Sequence, residues 1–88
     1  MNTTQTFTLE QAQEVAQSFG INWQNVEFSP EEFLKGMLVE LEHGSKDPET
    51  DVTHDDPILT GKIAWAHLKE FSDYYTRLAI MEAEAERQ

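Results

Sequence analysis

The segment Phe28-Ser29-Pro30-Glu31-Glu32-Phe33 dictates more local structure than any other in the chain. Serine caps helices well because its hydroxyl accepts a backbone N–H of the first turn. Proline directly after it suits the first helical position, where its missing N–H is not needed and its fixed φ is already helical. Glu32 stands three residues after the cap, where a capping-box side chain reaches back, and Phe28 and Phe33 hold the two positions of a hydrophobic staple. A helix therefore starts at Pro30. Phe33, Leu34, Met37, Leu38 and Leu41 recur along it as an apolar face, and Gly44 stops it after His43.

A second start signal lies upstream. Thr8 caps a helix over Leu9 to Phe19, and Gln11 completes a capping box. Leu9, Ala12, Val15, Ala16 and Phe19 share its inner face. Gly20 supplies a left-handed residue to end it, with Ile21 packing back on the last turn. Residues 1–7 are expected to be disordered.

From Gly44 to Asp56 the sequence is polar and rich in turn formers, which predicts a long acidic loop with Val52 as its anchor. A third helix is expected from Asp56-Pro57 to about Phe71, capped by Thr53 or Asp56. Ser72 reads as a break and a new N-cap. A fourth helix then runs from Asp73 to about Glu84, with Tyr74, Leu78, Met81 and Ala85 inward. Whether the last two are separate or one kinked helix stays open. The expected fold is all-α: a small bundle of three to four short helices in a single domain, 1–88.

Charge excludes some functions. Seventeen acidic against 6 basic side chains give a net charge of −11, which repels nucleic-acid phosphates and anionic membrane surfaces. No stretch approaches the ~20 apolar residues of a membrane span. With no cysteine, thiolate chemistry and zinc-thiolate sites are excluded. The first residues lack the basic and apolar regions of a leader, so the expected location is cytoplasmic. A protein partner or a second copy of the chain fits this profile.

Candidate chemistry centres on histidine and glutamate. On a projection of about 100° per residue, His67 falls mid-face on the third helix opposite Lys62 and Lys69, with Thr60, Ala64 and Phe71 beside it. Glu40-x-x-His43 is the i, i+3 spacing by which di-metal bundles present ligands, and His67-x-x-Glu70 is its reverse. Glu40, His43, His67 and Glu70 thus form a candidate divalent-metal set, to which Glu82 adds a further oxygen. The plainer account makes His67 a satisfied core imidazole and His43 a partner of the helix dipole. Gly36, on the same strip as Glu40 and His43, leaves room for another helix to approach.

Asp47, Glu49, Asp51 and Asp55 alternate as calcium-loop ligands do. However, Val52 stands where the loop needs glycine and Ile58 where it needs glutamate. No nucleophile motif or phosphate loop appears, so catalysis is not expected. Among the aromatic residues, Tyr74 is assigned to the core, and Tyr75 and Trp23 are candidate interaction anchors.

The second half also carries a pattern. Gly36-Met37, Glu40-Leu41-Glu42-His43-Gly44, Asp51-Val52-Thr53, Asp55-Asp56-Pro57, Thr60-Gly61-Lys62-Ile63-Ala64, Ala66-His67-Leu68 with Glu70, and Asp73-Tyr74-Tyr75-Thr76-Arg77-Leu78 together resemble a family of small bacterial and phage domains of unknown function. The resemblance spans about Gly36 to Glu82. It implies no activity and no catalytic residues, only that the Glu-His-Gly corner and the His-Leu-x-Glu helix belong to one unit. The functional expectation is a non-enzymatic accessory or protein-interaction module, with divalent-metal binding as its alternative.

Overall fold

The computed structural model describes residues 6–87. Among them α1 is Leu9–Ser18, α2 is Pro30–Glu40, α3 is Pro57–Glu70 and α4 is Tyr74–Glu86, with a 3-10 turn at Leu41–His43. No strand occurs among the described residues. The protein is an all-α domain. α2 is its hub, touching α1, α3 and α4, with the most extensive interface against α3.

The helix ends form for the reasons read from sequence. Gln11 N–H donates to Thr8 Oγ1 at 3.1 Å and Thr8 N–H donates to Gln11 Oε1 at 2.8 Å, a reciprocal capping box. Gly20 has φ +79°, and Ile21 N–H reaches back to the Ala16 carbonyl while Gly20 N–H reaches that of Gln17. That double bond satisfies the orphan carbonyls of a helix C-terminus. Ser29 Oγ accepts from Glu32 N–H at 3.0 Å, and the staple rings of Phe28 and Phe33 stack with centroids 6.2 Å apart.

The core joins Phe7, Ala12, Val15, Ala16, Phe28, Phe33, Met37, Ala64, Leu68 and Tyr75. Phe7 belongs to it, contrary to the disorder expected of residues 1–7; residues 1–5 lie outside the described residues. Trp23 is half-buried, edge-on to both staple rings at 5.9 and 6.1 Å. It packs partly against the core, where the chain after α1 folds back over the staple.

Residues 44–56 contain turns only, and they are tied down at both ends. Val52 N–H donates to the His43 carbonyl at 2.7 Å, and Asp55 accepts from both the backbone N–H and the hydroxyl of Ser45. His54 and Asp55 take positive φ, stabilised by Asp51 Oδ1 and Thr53 Oγ1 accepting their amide protons. Val52 is 65% exposed and anchors nothing. The buried side chain is that of its neighbour Thr53, whose Oγ1 accepts from Asp55 N–H at 3.2 Å.

Asp56 caps α3 by accepting from Leu59 N–H at 2.9 Å. The buried positions of α3 are Thr60, Gly61, Ala64 and Leu68, so its inner face is turned about one residue from the projected one. Gly61 explains the turn. A Cβ there would lie 2.5 Å from Val15 Cγ1, so α1 presses against α3 on that side. His67 moves to the edge of the face, and Phe71 is left 54% exposed.

α3 and α4 are separate helices, divided by Phe71 in extended conformation at φ −140°, ψ 117°. The N-cap position of α4 falls on Asp73, not on Ser72, and Asp73 makes no side-chain cap bond. No helix of the described residues is long and apolar enough to cross a membrane.

Candidate functional site

The site residues converge where α2, α3 and the start of α4 meet. Glu40, in the last turn of α2, is only 5% exposed. A buried carboxylate needs donors. The Tyr75 hydroxyl supplies one, donating to Glu40 Oε2 at 2.7 Å. Burial pushes the Tyr75 hydroxyl well above the ordinary tyrosine range, and the bond to the Glu40 carboxylate and its charge push the same way. The hydroxyl therefore stays protonated and remains a donor.

Two imidazoles flank this pair. His67 Nε2 lies 3.7 Å from Glu40 Oε2, and His43 Nε2 lies 4.0 Å from Glu40 Oε1. Both distances exceed a hydrogen bond and suit an ion pair when the ring is protonated. The His67 side chain is 33% exposed and that of His43 56%, so water reaches both. His67 also stacks flat on Tyr74, with centroids 4.3 Å apart and planes 11° apart. Tyr75 stands edge-on to His67 at 6.1 Å.

Gly36 makes this arrangement fit. A Cβ there would sit 2.9 Å from Tyr75 Cδ2 and 3.0 Å from Cζ, so the ring lies directly on the α2 backbone. The sequence marks Gly36 as a point of close approach; what approaches is the Tyr75 ring. Tyr75 is 1% exposed, which overturns its assignment as an interaction anchor. Its ring occupies the gap left by Gly36, and its hydroxyl is committed to Glu40.

Of the candidate ligands, Glu40, His43 and His67 come together and Glu70 does not. Glu70 is exposed at the end of α3. Among the described residues no group of three or more His, Cys, Asp or Glu side chains is disposed to hold a metal ion. One physical reason is that Tyr75 already takes Glu40 Oε2, while stacking on Tyr74 fixes the ring plane of His67. Glu82 lies on the exposed half of α4.

A second clamp was not legible in the sequence. Glu32 accepts from Thr76 N–H at 3.1 Å and from Thr76 Oγ1 at 2.9 Å. The position after the α2 cap suggested a capping box on α2 itself. Its carboxylate instead caps the first turn of α4, which lacks a side-chain cap of its own.

Beyond that turn α4 is bare. Every residue from Ala79 to Arg87 is exposed, with Ile80 at 56% and Met81 at 57%. The face expected to point inward comprises Tyr74, Leu78, Met81 and Ala85, but only Tyr74 and Leu78 pack partly against the core. With Phe71 and Arg77, three of these residues line an open groove of about 310 Å³: Tyr74, Leu78 and Met81. Arg77 is held along it by Asp73 Oδ1 at 2.8 Å and lies 5.8 Å from the Phe71 ring centroid.

A family model described as "Protein of unknown function (DUF5661)" matches residues 12–84. The chain belongs to the DUF5661 family. The DUF5661 match takes in the resemblance drawn from Gly36 to Glu82, the whole Glu40–Tyr75 clamp and the α4 groove. Neither the curated proteins nor the solved structures yield a match.

Proposed function

We propose that this DUF5661 domain is a non-enzymatic protein-interaction module whose docking surface is the outer face of α4. The observation that carries the reading is the apolar row Tyr74, Leu78, Met81 and Ala85, spaced four, three and four residues apart, which packs partly on the core at Tyr74 and Leu78 and is exposed at Met81 and Ala85. That spacing is the one by which helices pack on helices. An exposed apolar strip rimmed by polar residues is a candidate interaction surface.

The energetics agree. α4 is fastened at its first turn, by Tyr75 on Gly36 and by Glu32 on Thr76. A helix of 13 residues is marginal in water unless an apolar face is buried. Docking would supply that burial. The Glu40 cluster serves in this reading as the fastening of α4, not as a reaction centre.

Site-specific photocrosslinking in the native host tests it. A photoreactive residue replacing Met81 is expected to trap a discrete partner, whereas one replacing Lys62 on the wet side of α3 traps none. Leu78→Asp should abolish the Met81 crosslink while leaving the isolated domain folded. Equal crosslinking at both positions, or none at Met81, would remove the proposal.

A further inference from the structure

The partner's chemistry can be narrowed further, on the premise that the outer face of α4 is the docking surface. We infer that this face takes an amphipathic helix with basic residues flanking its apolar stripe. Charge complementarity around the row favours such a partner. Projected at about 100° per residue, Arg77 and Glu84 border the row on one side and Glu82 and Glu86 on the other. Arg77 is already neutralised by Asp73, at 2.8 Å. Glu82, Glu84 and Glu86 are exposed and make no ion pair among the described residues. The rim of the apolar strip is therefore negative, and it belongs to a chain of net charge −11.

Three occupants compete for such a face. A second copy would set two acidic rims and two −11 bodies against each other, at a Coulomb cost that grows as the charges approach. An acidic or neutral helix would leave Glu82, Glu84 and Glu86 with no counter-charge as water is excluded. A basic-flanked helix buries the same apolar atoms and gives each glutamate a cation at the rim. It also gains an attractive long-range field that raises the association rate. The full length of α4 sets the upper scale: 13 residues at 1.5 Å each make about 20 Å, some four turns of a partner helix.

The test uses the full chain and three synthetic peptides of about four helical turns. The first has leucine at alternating three- and four-residue spacing with lysine on both flanks. The second replaces each lysine by glutamate. The third scrambles the first, keeping its composition and charge but not its stripe. Binding is read by fluorescence anisotropy near physiological salt, beside sedimentation of the protein alone. The lysine-flanked peptide should bind at least tenfold more tightly than either of the others. Leu78→Asp and Met81→Asp should each weaken it at least tenfold. Ala79→Asp, which adds the same charge away from the row, should not weaken it, and circular dichroism verifies that all three variants fold.

Equal binding of the scrambled peptide, or no effect of Leu78→Asp and Met81→Asp, would overturn both this inference and the docking surface it rests on. Tighter binding of the glutamate-flanked peptide, or self-association abolished by Met81→Asp, would overturn only the basic partner and keep the surface.

Discussion

Replacing Tyr75 with phenylalanine removes one oxygen from the fold and leaves the ring on Gly36. The lost atom is the donor to Glu40 Oε2 at 2.7 Å, in a position where tyrosine is 1% and glutamate 5% exposed. Hydrogen bonds to charged groups contribute about 1.5–3 kcal/mol. The cost of stranding a fully buried charge would be larger, about 3–5 kcal/mol, but His67 and His43 sit within 4.0 Å and admit water. The lower range therefore applies. Tyr75→Phe should cost about 2 kcal/mol, which for a domain this size lowers Tm by roughly 8–16 °C.

A double-mutant cycle separates the bond from the packing. Glu40→Leu alone leaves the hydroxyl unsatisfied at about 1–3 kcal/mol, whereas replacing both partners with apolar groups removes the mismatch. The two changes together should cost less than their sum, with a coupling of about 1–2 kcal/mol by urea unfolding. A pH series gives an independent check of the same bond. Tyr75 titrates higher in the folded than in the unfolded chain, where its value is near 10. Above that pH the unfolded state has lost a proton that the native state keeps, so stability falls as pH rises. The slope for one such proton is about 1.4 kcal/mol per pH unit. The loss should be present in the wild type and missing from Tyr75→Phe, read as the difference between their alkaline limbs. Additive mutations together with parallel alkaline limbs would show that the hydroxyl and the carboxylate are not coupled.

Gly36→Ala places a methyl group inside the Tyr75 ring, so thermal unfolding should show a loss of about 1–3 kcal/mol, the range for overpacking. Gly36→Ala combined with Tyr75→Ala should recover part of that loss. Glu32→Ala removes the borrowed cap of α4 at about 1 kcal/mol, and amide exchange should speed up at Thr76 and its neighbours before any change in α1. The Asp55 carboxyl is held below its ordinary 3.8, first by the Ser45 hydroxyl and then by its N–H. Its contribution is therefore present above that value and lost as pH falls through it. In an acid titration by NMR, Ser45→Ala should raise the Asp55 midpoint toward 3.8.

Much of the fold was legible because local rules and tertiary packing agree. The capping box at Thr8, the Gly20 terminator and the staple of Phe28 on Phe33 all depend on neighbours in sequence, and all form. The errors arise where one helix answers to two others. The inner face of α3 was projected as if α3 packed on a single surface, but the approach of α1 at Gly61 rotates it and pushes His67 to the rim. Tyr74 and Tyr75 are adjacent and chemically equivalent, so sequence spacing does not show that Tyr75 is the more deeply buried of the two, with Tyr74 packing only partly against the core. The deciding signal lay on another helix, at Gly36, whose missing side chain admits one ring. The site was half legible for the same reason. Glu40, His43 and His67 do meet, and the Tyr75 hydroxyl, which the sequence does not single out, donates to the first of them.

The misassigned face of α4 bears directly on function. Tyr74, Leu78, Met81 and Ala85 carry the periodicity of a buried stripe, and α4 nonetheless leaves the stripe in water after one turn. Pattern and burial agree wherever the domain supplies its own packing partner, as for Val15 and Ala16 on α1 or Phe33 and Met37 on α2. They disagree most along α4, and there the helix is bound to the body through two polar attachments at its start, Glu40 to Tyr75 and Glu32 to Thr76. Those attachments fix the direction of α4 without consuming its apolar surface. An arrangement of this kind leaves the apolar surface beyond the first turn available for the docking proposed above. If the face docks a helix, the acidic residues along its far half would discriminate among candidates by charge, because the apolar row alone would accept any greasy helix.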